Sequence, residues 1–160
     1  MNVPSWVGLL VNLQKLEINV GEVGQDDIRI LGGLPALHYL SVCLGLTGRV
    51  HAEISSTSGF TCLRHFHIGG NQCGLGLMFE PGSMPKLEEL VLEFDAFETG
   101  HLCNLDFAFG VEHLLSLTNI RCDISSLGEI MPPSKAVMVA MERVVSVHPN
   151  HPKLTINILG

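Results

Sequence analysis

Cys62, His65, His67 and Cys73 lie within twelve residues of one another. Thiolate and imidazole are the usual ligands of zinc, and four of them must converge at roughly 2.0–2.3 Å to hold it. The Cys-x2-His-x-His-x5-Cys spacing matches no recognised finger. His65 and His67 alternate with apolar residues, so both point out from one face of a strand. Cys62 precedes that strand and Cys73 falls beyond it. The group is expected to be two surface histidines and two reduced thiols, with no metal. Paired carboxylates could serve acid–base chemistry, and Asp26-Asp27, Glu88-Glu89 and Glu93 are the candidates. Glu88 and Glu89 are strand neighbours and face opposite sides, while Asp26 and Asp27 suit the start of a helix. Ser83 sits in Pro-Gly-Ser-Met-Pro and not in the Gly-x-Ser-x-Gly elbow of a nucleophile. Gly74-Leu-Gly76 belongs to a glycine-rich loop and not to a phosphate cradle. No catalytic, cofactor or metal site is expected, and the chain is not expected to be an enzyme.

Composition narrows the remaining classes. The 160 residues are 46% hydrophobic and 16% charged, with 9 Lys+Arg against 16 Asp+Glu and a formal net charge of −7. A nucleic-acid partner is excluded by the lack of clustered cations, and no basic run could dock on anionic lipid. No stretch of about 18 apolar residues is present to span a membrane. The first residues lack the basic region and cleavage site of a signal peptide. Five scattered cysteines, an odd number, and no Asn-x-Ser/Thr acceptor suit a reducing compartment, so a cytoplasmic location is expected.

The elements that carry these residues repeat. Leu13–Ile18, Leu37–Val42, Leu63–Ile68, Leu87–Leu92 and Leu117–Cys122 share the pattern apolar-x-x-apolar-x-apolar, and Leu154–Ile158 carries its second half. Aligned on the fourth position, the anchors are Leu16, Leu40, Phe66, Leu90, Ile120 and Leu154, spaced by 24, 26, 24, 30 and 34 residues. This is the strand signature of a leucine-rich repeat. It predicts an α/β solenoid of five to six right-handed repeats in a single domain over 1–160, with a curved parallel sheet on the concave side. Irregular or short helical segments form the convex side. Template residues point inward and the x positions outward. The outward rows are then Lys15, Tyr39, His65, Glu89, Asn119 and Lys153; Glu17, Ser41, His67, Val91, Arg121 and Thr155; and Asn19, Cys43, Gly69, Glu93, Asp123 and Asn157. The residues expected to contact a partner are Lys15, Glu17, Tyr39, Ser41, His65, His67, Glu89, Val91, Asn119 and Arg121. A face that mixes both charge signs with a tyrosine and histidines suits a protein or peptide partner.

Between the strands, Gln25–Leu31 predicts one or two helical turns stopped by Gly32-Gly33, and Gly69–Gly76 predicts a loop. The clearest helix covers about 134–147. Pro132-Pro133 precedes it, Ser134 can cap it, and Met138, Met141 and Val145 mark its buried face. Pro149 and Pro152 end it, and a last strand follows at about 153–158. Trp6, Phe94, Phe97, Phe107 and Phe109 are expected in the core or on the convex side. Residues 1–12 resemble the tail of a repeat with no strand of its own. Solenoid repeats bury their apolar faces only against neighbours, so this end is expected to continue a longer solenoid or to self-associate.

Trp6–Ile18, Leu34–Leu40, Met84–Leu92 and the His-Pro-Asn-His-Pro ending within Val147–Leu154 resemble one family. They are similar to the C-terminal leucine-rich repeats of plant coiled-coil, nucleotide-binding, leucine-rich-repeat disease resistance proteins, especially the grass type. The resemblance implies a non-catalytic recognition and autoinhibitory module that senses a pathogen effector or a guarded host protein. It also implies an upstream nucleotide-binding domain as an intramolecular partner. That domain's phosphate loop is absent from these residues, so nucleotide binding is carried onto none of them. An alternative is a generic repeat adaptor, such as the substrate-binding part of an F-box ubiquitin ligase.

Overall fold

The computed structural model describes residues 3–102, 107–125 and 133–159. Its centre is one parallel sheet. Strands β1 (Lys15–Val23), β2 (Tyr39–Ile54), β3 (His65–Gly69), β5 (Glu89–Asp95), β6 (Asn119–Ser125) and β7 (Lys153–Leu159) lie side by side in that order. The remaining strand, β4 (Gly74–Phe79), pairs with the far half of β2. Helices α1 (Gln25–Gly32), α2 (Ala96–Leu102) and α3 (Pro133–Val147) occupy the connections.

A recurrent turn sets the register. In all six repeats the N–H of the first template position donates to the carbonyl three residues earlier, at 3.0–3.4 Å. The acceptors are Leu10, Leu34, Phe60, Met84, Leu114 and His148. Pro35, Pro85 and Pro149 take the second position of their turns, where a fixed φ near −65° is already correct. The carbonyl that follows then accepts from the next repeat, so Gln14 binds Tyr39, His38 binds His65, Arg64 binds Glu89 and Glu88 binds Asn119 through their N–H groups. Each strand is thereby fixed against its neighbour before the ladder begins. The expected rows result: Lys15, Tyr39, His65, Glu89, Asn119 and Lys153 are paired in sequence across six strands.

Template side chains fill the interior. Leu40, Phe66, Leu90, Cys122 and Ile124 are buried with Phe60, Phe79, Phe94, Phe107 and Phe109. The phenylalanines meet edge to face, with Phe66–Phe79 centroids at 6.5 Å and Phe94–Phe109 at 5.6 Å, the favoured arrangement for aromatic pairs. Each fully buried leucine contributes about 1.5–3 kcal/mol relative to exposure.

Helix α1 covers Gln25–Gly32 and α3 covers Pro133–Val147, while α2 (Ala96–Leu102) lies in a stretch where no helix was expected. The Asp27 carboxylate accepts from the Gly24 N–H at 2.8 Å and from the Val3 N–H at 3.0 Å, capping α1 and tethering the preceding segment. Asp26 pairs instead with Arg29 at 2.7 Å. In α3 the buried line is Val137, Met141 and Val144, with Met138 and Val145 only at its flank. Pro132 and the side chain of Ser134 lie outside the described residues.

Three expectations are corrected. Gly69–Gly76 is not all loop, because Gly74 begins β4. Arg49–Ile54 and Gly74–Phe79 form a second parallel ladder, in a stretch expected to be irregular. Its glycines are used for close approach, and pairing with β2 overrides their low strand preference. Trp6 and Phe97 are exposed and not core.

Candidate protein-recognition face

The sheet face turned away from the core holds every candidate contact residue. Alternation along each strand places them there, and the shared register aligns them into rows. In the first row the Lys15 ammonium lies 4.7 Å from the centre of the Tyr39 ring and 3.5 Å from the Glu17 carboxylate. Tyr39 and His65 stack with centroids 4.4 Å apart and planes 4° from parallel. His65 Nδ1 then lies 3.3 Å from Glu89 Oε2. Four side chains on four strands are thus held in one line, which lowers the ordering cost of binding.

A second line runs diagonally. Ser41 Oγ lies 2.9 Å from His67 Nδ1, and His67 Nε2 lies 3.5 Å from Glu93 Oε2. Ser41 donating to Nδ1, with the Nε2 proton turned to Glu93, satisfies both contacts. A serine, an imidazole and a carboxylate in line resemble a hydrolytic triad. Hydrolysis also needs backbone donors aimed at a developing oxyanion, and the strands beside Ser41 direct their amides into the β1–β2 and β2–β3 ladders. A third group joins β6 to β7: Arg121 Nε and Nη2 donate to Asp123 Oδ2 at 3.1 and 2.9 Å, and Asn157 donates to Asp123 Oδ1 at 2.7 Å.

Exposure along the rows is uneven. Lys15, Glu17, Glu89, Asn119 and Arg121 are exposed and Tyr39, His65 and His67 are half-buried. Ser41 and Val91 face outward but are each only 8% exposed, covered by longer neighbours. They support the face more than they offer contact area. Glu93, Asp123 and Asn157 were absent from the expected contact set although they complete two of its three networks. Their position in the third outward row was the signal for them.

Gly69 sits in that third row between Cys43 and Glu93, with φ +133°. A Cβ there would collide with the Glu93 carbonyl oxygen, so only glycine lets β3 and β5 approach this closely.

The four zinc-type residues are dispersed. Cys73 is buried, its thiol 3.2 Å from the Gly45 carbonyl oxygen, while His65 and His67 face outward. Among the described residues no group of three or more His, Cys, Asp or Glu side chains is placed to hold a metal ion. Burial raises the Cys73 thiol above its ordinary pKa. Burial, and then the nearby Asp123 carboxylate, push Cys122 up to about 12. Cys103 lies outside the described residues. No described helix is long and apolar enough to cross a membrane.

The comparisons agree with this geometry. A family described as "Leucine-rich repeat region" matches residues 1–154. The chain is 33% identical over 151 residues to "Disease resistance protein RGA5" of Oryza sativa subsp. japonica, an alignment covering 92% of this chain and 13% of that protein. No solved structure matches. With its six aligned strands, recurrent turns and outward rows, the chain belongs to the leucine-rich-repeat region family, as a repeat region of the plant disease-resistance type.

Proposed function

We propose that the outward face of the sheet recognises a protein in plant defence, a pathogen effector or a guarded host protein, without catalysis. The observation that carries this reading is the row Lys15–Tyr39–His65–Glu89, in which mixed charge and aromatic surface are fixed across four strands. Interfaces draw their energy from a few such ordered side chains, with tyrosine and arginine prominent. In a longer receptor the same repeats help hold an upstream nucleotide-binding domain inactive. A cytoplasmic site of action is supported by the free thiols of Cys43, Cys62, Cys73 and Cys122.

The test is a two-hybrid and co-precipitation panel of effectors and host proteins, run with the wild-type chain and with a Tyr39→Ala, His65→Ala, Glu89→Ala, Arg121→Ala variant. Partners of the wild type are expected to lose at least tenfold in affinity. Each surface change should alter stability by only about 0.5 kcal/mol. Undiminished binding by a folded variant overturns the reading.

A further inference from the structure

The residues that lead into the strands gather at a second place, apart from the outward rows. Arg64, Glu88 and Thr118 hold the second template position, immediately before β3, β5 and β6. Lys86, Ser116 and Asn150 stand one residue before the first template position of three successive repeats. The shared register brings these six together with Leu115 around an open cleft of about 490 Å³. It crosses four repeats on the rim of the solenoid, where the strands begin.

Two cations come from the earlier repeats. Arg29, Arg49 and Arg121 hold carboxylates at 2.7–2.9 Å, but the Arg64 guanidinium lies 3.6 Å from Glu88. A guanidinium has five donors, so Arg64 can keep Glu88 and take a second carboxylate. Lys86 is exposed and, among the described residues, forms no ion pair. Two cations against one carboxylate leave the cleft positive on a chain of formal net charge −7. The later repeats supply acceptors. The Ser116 hydroxyl donates to the Pro85 carbonyl at 2.6 Å and the Thr118 hydroxyl to the Glu88 carbonyl at 3.0 Å. Asn150 Nδ2 donates to the Leu117 carbonyl at 2.7 Å. Both hydroxyl protons are thus spent. A hydroxyl oxygen has two lone pairs, and Thr118 Oγ1 accepts from Asn119 at 3.3 Å with one of them. Ser116 Oγ, Thr118 Oγ1 and Asn150 Oδ1 are therefore left to accept. Leu115, beside Ser116, is 62% exposed.

We propose that this rim cleft binds a short, extended acidic segment of a partner protein, two neighbouring carboxylates followed by an apolar residue. The carboxylates meet Arg64 and Lys86, backbone N–H groups of the segment donate to Ser116, Thr118 and Asn150, and the apolar residue covers Leu115. Neighbouring strands are about 4.8 Å apart and an extended chain rises about 3.3 Å per residue. Leu115 belongs to the second repeat after that of Arg64, which places the apolar residue about three positions after the first carboxylate. A phosphate ion meets the cations but brings no N–H to the acceptors and no apolar group to Leu115. A cationic segment gains Glu88 alone and is repelled by Arg64 and Lys86. None of the lining residues belongs to the outward rows, so this site stands or falls separately from the recognition proposed for that face.

The test is a titration of the full chain with the peptide acetyl-Glu-Asp-Gly-Leu-Gly-amide, followed by amide chemical shifts. The controls are the same peptide with Gln-Asn for Glu-Asp, the same peptide with Ser for Leu, and inorganic phosphate. A chain carrying Arg64→Gln and Lys86→Gln is titrated alongside, with its melting transition as the check on folding. Shifts are expected at residues 64, 86–88, 115–118 and 150. Affinity should fall at least tenfold for the Gln-Asn peptide and for the double variant, and several-fold for the Ser peptide. Absence of shifts at the cleft, or equal affinity in the folded double variant, overturns the proposal. So does phosphate binding as tightly as the acidic peptide, which reduces the cleft to a plain anion site.

Discussion

At the scale of single residues, two positions are set by contacts that their own type does not reveal. Gly69 is one: replacing it with alanine drives a Cβ into the Glu93 carbonyl and strains a backbone at φ +133°. Gly69→Ala should cost at least about 1–3 kcal/mol, measured by denaturant unfolding, and should weaken β3–β5 pairing first. Cys122 is the other, since its inward template position and raised pKa keep it a thiol. The thiolate is the reactive form, so in folded protein at pH 8 alkylation followed by peptide mapping should label half-buried Cys43 and Cys62 well before Cys73 and Cys122. All should react once the chain unfolds; early labelling of Cys122 would contradict its placement. The outward set was legible because period-two alternation assigns a face to every strand residue. The near-complete burial of Ser41 and Val91 was not legible, because it depends on the lengths of side chains one strand away.

Individual elements were legible in proportion to how local their signals are. The template strands, α1 and α3 announce themselves through spacing, and β7 follows from the same pattern. The Arg49–Ile54 half of β2 and all of β4 do not. Gly74-Leu-Gly76 has loop composition, and its strand exists only because β2 offers a ladder to it. Trp6 and Phe97 misled for the same reason, since aromatic character predicts burial only where a neighbour covers the ring. Inward anchors should respond as core residues do: Leu40→Ala and Leu90→Ala should each cost roughly 2–5 kcal/mol by thermal or denaturant unfolding. The last repeat replaces an apolar turn residue with His148. His148→Ala removes one of the two donors to the buried Leu114 carbonyl and the acceptor of the Asn150 N–H and should destabilise by about 1–3 kcal/mol. Loss of order in α3 should accompany it, seen as faster amide exchange over 137–147.

For the whole molecule, one turn chemistry repeated six times yields one register, and one register turns scattered outward residues into rows. The proposed recognition is a property of that assembled face, since no strand alone holds a lysine, a tyrosine, a histidine and a glutamate in line. Exposed apolar side chains elsewhere, such as Trp6, Met78 and Phe97, give a direct control, because they are as oxidisable as Tyr39, His65 and His67 but lie off the outward rows. Hydroxyl-radical footprinting of the chain with and without a partner identified by the panel is therefore the measurement that bears most directly on the account. Modification of Tyr39, His65 and His67 should fall several-fold on binding while Trp6, Met78 and Phe97 keep their rates. Protection of Trp6, Met78 or Phe97 with Tyr39 and the histidines unchanged would place recognition elsewhere on the solenoid and contradict it.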